Sequence, residues 1–184
     1  MDTITSDGDG CKPGWERTIC TQSDYAWRKA SDCQRAWSWL LFSIPIITIV
    51  LGGLVWPYDS ESELHVNFQP NQGARLSLWI LSSIMMGLVW QQLYVMKSNH
   101  YVFHLLMAAV ITLIVVWFAV YHGAEMREAG AAVIVCAESA LIVLMFLVAT
   151  LSDIPEWAFG LFPMLTTLGL LTSVNEKASE LLPP

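Results

Sequence analysis

Glu138 is the only charged residue in AAVIVCAESALIVLMFLVAT, residues 131–150. Placing an acidic side chain at the centre of a lipid-spanning helix costs roughly 2.5–3.5 kcal/mol, so such residues turn toward a neighbouring helix or a cavity. Three kinds of chemistry fit a neutral, hydrogen-bonding carboxyl there. It can tie two helices together, it can hold or protonate an apolar ligand, or it can meet a second copy of the chain in a homodimer. Ala132, Cys136 and Ala140 recur every four residues and make a small-residue seam suited to close helix packing. Glu138 lies about 200° round the helix from Cys136, and is therefore expected to point away from that seam. Counting depth along the spans, Thr112, Ser82 and Ser83 are its expected partners. His104, Gln91 and Gln92 fall nearer the side that carries the N-terminus. His104 is read either as a locally hydrogen-bonded imidazole or as a catalytic one.

Other chemistry is sparse. The chain has no HExxH, no glycine-rich phosphate loop, no GxSxG and no paired aspartates. Cys11, Cys20 and Cys33 are spaced by nine and thirteen with no histidine beside them, which matches no zinc pattern. A disulfide between two of them requires that this segment face an oxidising space. The expectation is no metal and no cofactor. A single buried charge also argues against ion-coupled transport, which uses several together with internal repeats or broken helices.

The elements that position these residues follow from where charge is absent. Of 184 residues 55% are hydrophobic and 14% are charged, against about 25% charged in a soluble domain. Residues 37–58, 76–96, 98–124 and 157–175 contain no Asp, Glu, Lys or Arg, and residues 129–152 contain only Glu138. Each run is close to the ~20 residues that cross a bilayer as a helix. Lipid offers no partner to free backbone groups, and the runs are too long for barrel strands. The chain is thus read as an all-α membrane protein with helices at 37–56, 76–96, 100–122, 129–151 and 156–174. Trp37, Trp39, Trp56, Trp90, Tyr94, Tyr101, Tyr121 and Trp157 mark span ends at headgroup level.

Around this transmembrane domain, residues 37–175, lie an N-terminal polar tail, 1–36, and a C-terminal tail, 176–184. The stretch DYAWRKASDCQRAWSW within the first tail is either a short interfacial helix or a partly ordered segment. No apolar run precedes the first span, so no cleaved signal peptide is expected. One connection, 57–75, is long and polar while the others are short, which makes it the expected lid or ligand entrance. Arg28, Lys29, Arg35 and Lys97 on one side against Arg75, Arg127 and Lys177 on the other weigh toward a cytosolic N-terminus. The net charge of −7 sits in tails and loops and argues against nucleic acid.

The string PNQGARLSLWILSSIMMGLVW resembles the second helix of the TspO/translocator-protein family of tryptophan-rich sensory proteins, with Pro70, Trp79, Met86 and Gly87 at matching intervals. LIVVWFAVYHG resembles the family's LNLLWSPLFFG, aligning Trp117 and Gly123. PMLTTLGLLTSVN resembles PYLLWVSFATYLN, with Pro163 and Asn175 twelve apart. The resemblance covers roughly residues 40–176 and agrees with one long and three short connections. The chain departs from it at Ile114, Met164 and Thr167, and it lacks a tyrosine after Tyr121, so the C-terminal cholesterol-recognition pattern is missing.

What the resemblance implies is a five-transmembrane-helix bundle of TspO type, with a pocket open toward 57–75 for a hydrophobic small molecule of tetrapyrrole, sterol or isoprenoid class. The implied ligand-binding residues are Trp79, Trp117, Pro163 and Asn175, to which the buried polar residues themselves add Glu138 and His104 as candidate partners. The implied location is the mitochondrial outer membrane or endoplasmic reticulum in a eukaryote, and the inner membrane in a bacterium. Two other functions remain open: a membrane-embedded isomerase or cyclase with Glu138 as general acid, and an accessory subunit of a larger membrane complex.

Overall fold

A computed structural model describes residues 30–55, 72–96, 101–124, 126–152 and 155–181; of residues 72, 73, 75, 127 and 174–181 it describes the backbone only. The N-terminal segment before residue 30, the lid expected in the 57–75 loop apart from its last residues, and the side chain of Asn175 lie outside the described residues. Every regular element described is helical: α1 (Asp32–Val55), α2 (Gln72–Val95), α3 (Tyr101–Trp117) running on into a π-helical turn (Phe118–Gly123), α4 (Arg127–Leu151), a 3-10 segment (Pro155–Leu161) and α5 (Phe162–Leu181). Four helical stretches among the described residues are long and apolar enough to cross a membrane: Asp32–Val55, Leu76–Val95, Tyr101–Gly123 and Glu128–Leu151.

The first helix starts at Asp32, five residues before the expected Trp37, because Ser31 and Gln34 cap it reciprocally. The Ser31 N–H donates to Gln34 Oε1 at 3.0 Å, and the Gln34 N–H donates to Ser31 Oγ at 3.3 Å. Two otherwise orphaned donors are thereby satisfied. The last helix differs more. Residues 156–161, expected within a fifth span, belong to the 3-10 segment Pro155–Leu161, and the α-helix then runs from Phe162 to Leu181. Pro163 sits in its first turn, where the missing N–H has no intrahelical acceptor to satisfy.

The helices pack in the order α1–α2–α5–α4–α3, with a lighter contact closing α1 onto α3. Met86 and Leu93 of α2, Phe103 and Met107 of α3, Leu141 of α4 and Leu168 of α5 have no exposed surface and fill the centre. Leu54, Leu105, Phe146 and Phe162 are exposed, as suits a lipid-facing belt. Between them, the exposed hydroxyls of Ser43, Thr112, Ser139, Thr150, Thr166 and Ser173 each donate to the carbonyl four residues back, at 2.8–3.0 Å. This arrangement leaves no unpaired hydroxyl donor at those positions.

The small-residue seam expected on α4 is corrected by the structure. Ala132 and Cys136 are exposed and Ala140 is half-buried. The buried stripe is instead Gly130, Ile134, Ala137, Leu141, Leu144 and Val148. The spacings of three and four along this stripe put larger apolar groups on one face, and the van der Waals contact they make with neighbouring helices outweighs the close approach that the seam would have allowed.

One buried polar pair joins α2 to α5: Ser82 Oγ and Thr167 Oγ1 lie 2.7 Å apart. Thr167 Oγ1 also donates to the Pro163 carbonyl at 2.8 Å, so the Ser82 hydroxyl is the donor between them. Thr167→Val leaves that hydroxyl buried and alone, and is expected to cost about 1–3 kcal/mol. The double variant Ser82→Ala/Thr167→Val is expected to recover part of that loss. A double-mutant cycle from unfolding in mixed micelles measures the coupling, which for interhelical hydrogen bonds in membranes averages about 0.6 kcal/mol.

Candidate functional site

The π-helical turn at the end of α3 organises the site. Its backbone is marked by the Ala124 N–H donating to the Ala119 carbonyl at 2.9 Å, five residues back. Such turns are uncommon inside α-helices and concentrate at functional positions. In a regular α-helix residues i+4 and i+5 leave residue i on different faces. The wider turn lets both Tyr121 and His122 pack on Trp117, at 5.4 Å nearly parallel and 5.3 Å edge-on.

Trp79 arrives from the second turn of α2 and stacks on Trp117, with centroids 6.1 Å apart and planes 28° from parallel. It also lies 6.0 Å from Phe118. Offset and edge contacts of this kind contribute about 0.5–1.5 kcal/mol per pair beyond area burial. Two glycines admit the rings. A Cβ on Gly52 of α1 would lie 2.7 Å from Phe118 Cδ2, and one on Gly130 of α4 would lie 2.9 Å from Tyr121 Cδ2. Four helices thus converge on five aromatic side chains at the end of the bundle where the long loop begins and ends. Trp79 is half-buried and Trp117 is buried.

The other expected site residues lie elsewhere. His104 is near the start of α3, thirteen residues or about 20 Å along the helix from Trp117. Its Nδ1 accepts the Trp90 indole N–H at 2.9 Å, and Tyr94 packs edge-on against the ring at 6.1 Å. An imidazole that accepts at Nδ1 carries its proton on Nε2. This is a hairpin contact between two consecutive helices.

Glu138 is half-buried on the edge of the α4 stripe and faces α5. Thr172 Oγ1 lies 3.3 Å from Glu138 Oε2 and can donate to it, and it lies 3.1 Å from the Leu168 carbonyl. Gly169 leaves room for the carboxyl: a Cβ there would lie 3.6 Å from Glu138 Oε1. The partners expected from depth are otherwise engaged. Thr112 bonds the Ala108 carbonyl, Ser82 meets Thr167, and Ser83 bonds the Ile80 carbonyl. Thr172 was missed because the expected span ended at residue 174, which left Thr172 at its rim, whereas the helix runs on to Leu181.

Pro163 accepts the Thr167 hydroxyl through its carbonyl and serves the α5 start. Asn175 lies on α5. Among the described residues no group of three or more His, Cys, Asp or Glu side chains is placed to hold a metal ion. Sequence reasoning missed Phe118 and His122 as members of the aromatic cluster. The signal was present as WFAVYHG, but helical spacing alone scatters those rings around the helix.

Taken together, the apolar helices and their lipid-facing exterior define a multi-pass membrane protein with an aromatic cluster at one end of the bundle. Set against known protein families, characterised proteins and solved structures, the chain matches none.

Proposed function

We propose that this chain is a five-span membrane protein of TspO type, with α5 as its fifth span, that binds a hydrophobic small molecule of tetrapyrrole, sterol or isoprenoid class at the aromatic cluster. The observation that carries this reading is the Trp79–Trp117 stack. Two tryptophans that the family resemblance marks on separate helices meet at 6.1 Å, one half-buried and one buried. An apolar, ring-lined surface with one accessible face suits a flat hydrophobic ligand. The last two turns of α5 carry Glu176, Lys177 and Glu180, which suits a helix end emerging from the bilayer.

The test is equilibrium binding of protoporphyrin IX, cholesterol and farnesol to the protein in lipid nanodiscs, with empty nanodiscs as the partition reference. Saturable binding of at least one probe is expected, weakened up to about tenfold by Trp79→Leu, which removes one aromatic stack. No saturable binding across the panel overturns the reading.

Glu138 hydrogen-bonds across the α4–α5 seam, apart from the rings. Glu138→Gln keeps an acceptor for Thr172 and cannot transfer a proton. It is expected to leave probe binding unchanged and stability within about 0.5 kcal/mol. A folded Glu138→Gln protein that loses binding would bring the carboxyl into the site.

A further inference from the structure

We propose that the indole N–H of Trp117 selects ligands that present a hydrogen-bond acceptor, so that the preferred ligand is a flat, conjugated molecule carrying a carbonyl or carboxyl oxygen. This rests on the reading of the aromatic cluster as a binding site, and adds to it the polar feature that the ligand must have.

The observation is an imbalance between two tryptophans of one bundle. Trp90 and Trp117 are 5% and 3% exposed. The Trp90 N–H is matched by His104 Nδ1 at 2.9 Å. Among the described residues the Trp117 Nε1 is buried with no hydrogen-bond partner. Buried side-chain donors are nearly always paired, and an exception calls for an explanation. The ring contacts of Trp117 are with Trp79, Phe118, Tyr121 and His122, none of which accepts its N–H.

The other unpartnered atoms among the described residues, Gln91 Nε2 and Gln92 Oε1, belong to the opposite half of α2, beside Trp90. They are about three turns of helix from Trp79. The Trp117 donor is therefore the one that coincides with the stacked rings and the π-helical turn. A ligand sliding against the half-buried Trp79 brings its own oxygen to a donor already stripped of water. A hydrocarbon of the same shape leaves that donor as it was. A site built to hydrogen-bond a ligand group discriminates strongly against the analogue lacking it, because its buried polar atom is then left unpaired.

The probes are 9-fluorenone and fluorene, which share a flat tricyclic frame and differ by a carbonyl in place of a methylene. Equilibrium dialysis against the full chain in nanodiscs, corrected with empty nanodiscs, reads both affinities. Fluorenone is expected to bind about tenfold tighter or more. In protein labelled with ¹⁵N at tryptophan, it should also shift one indole N–H resonance that is missing from Trp117→Phe. In Trp117→Phe, which keeps an aromatic ring and removes the donor, the ratio of fluorenone to fluorene affinity is expected to fall to about one, whatever the change in either absolute affinity. Saturable binding of both probes with equal affinity to the wild-type protein, a comparison that needs no variant, overturns the proposal and leaves the binding reading standing. A preference that survives in Trp117→Phe also overturns it. If neither probe saturates, the proposal is overturned, while the binding reading is decided by the protoporphyrin IX, cholesterol and farnesol panel.

Discussion

Gly87→Val is expected to cost more than about 3 kcal/mol, among the largest stability losses available to a single substitution here. A Cβ at Gly87 of α2 would collide with the carbonyl oxygen of Phe42 in α1, and would lie 3.1 Å from Phe42 Cδ2 and 3.2 Å from its carbonyl carbon. The oxygen belongs to the backbone, so no rotamer change relieves the clash and α1 itself must move. Its main contact is with α2. Lipid gives helices no hydrophobic reason to associate, and close backbone approach through small residues supplies the van der Waals contact instead. Pro45 further constrains α1, because it cannot donate to the Leu41 carbonyl and already interrupts the helix ladder there. The matching control is Gly53→Ala, where a Cβ meets nothing within 4 Å. That change is expected to stabilise by about 0.5–1 kcal/mol through helix propensity. Unfolding in mixed micelles, followed by circular dichroism, reads both. A Gly87→Val protein as stable as the wild type would rule out the close approach of α1 and α2.

Trp117→Ala is expected to lose about 3–5 kcal/mol, the range for truncating a large buried aromatic. The ring is 3% exposed and contacts Trp79, Phe118, Tyr121 and His122. Removing it opens a cavity where the other rings meet. Collapse into that space is hindered because Phe118 is already tight against Gly52 and Tyr121 against Gly130. Trp79→Ala should cost less stability, since its ring is half-buried, yet should weaken probe binding. The two variants therefore separate the residue that holds the cluster together from the one that offers it to a ligand. Thermal unfolding beside the nanodisc binding assay checks this. Equal stability losses for both would show that Trp79 is as much a part of the core as Trp117.

Much of the helical plan was legible in the charge-free runs. A backbone in lipid must satisfy its own hydrogen bonds, and uninterrupted apolar length leaves helix as the solution. Helix ends were less legible. The first moved to Asp32 because a two-residue cap won over the aromatic boundary at Trp37. The last moved because Pro155–Leu161 took the tighter 3-10 form before Phe162.

The aromatic site was half legible. Trp79 and Trp117 stood out through family resemblance, whereas Phe118 and His122 entered only through the π-helical turn, which no periodicity announces. His104 was readable as a local hydrogen bonder, since α2 and α3 are consecutive and antiparallel and bring Trp90 beside it.

Glu138 divides the two kinds of knowledge most clearly. From the sequence alone it was determined that an acid lies within an apolar helix, that solvation cost forbids it a bare lipid face, and that it points away from Cys136. Those statements depend only on helical geometry and the cost of burying a polar group. Its partner was decided by tertiary structure. Thr172 lies 34 residues away on α5, brought to the carboxyl's side by the order in which the helices pack. Hydropathy is blind to that order, because the lipid-facing and the core-facing side chains of such a bundle are alike mostly apolar. Which helix neighbours which is settled by shape, through Gly87 against Phe42, Gly52 against Phe118 and Gly169 beside Glu138.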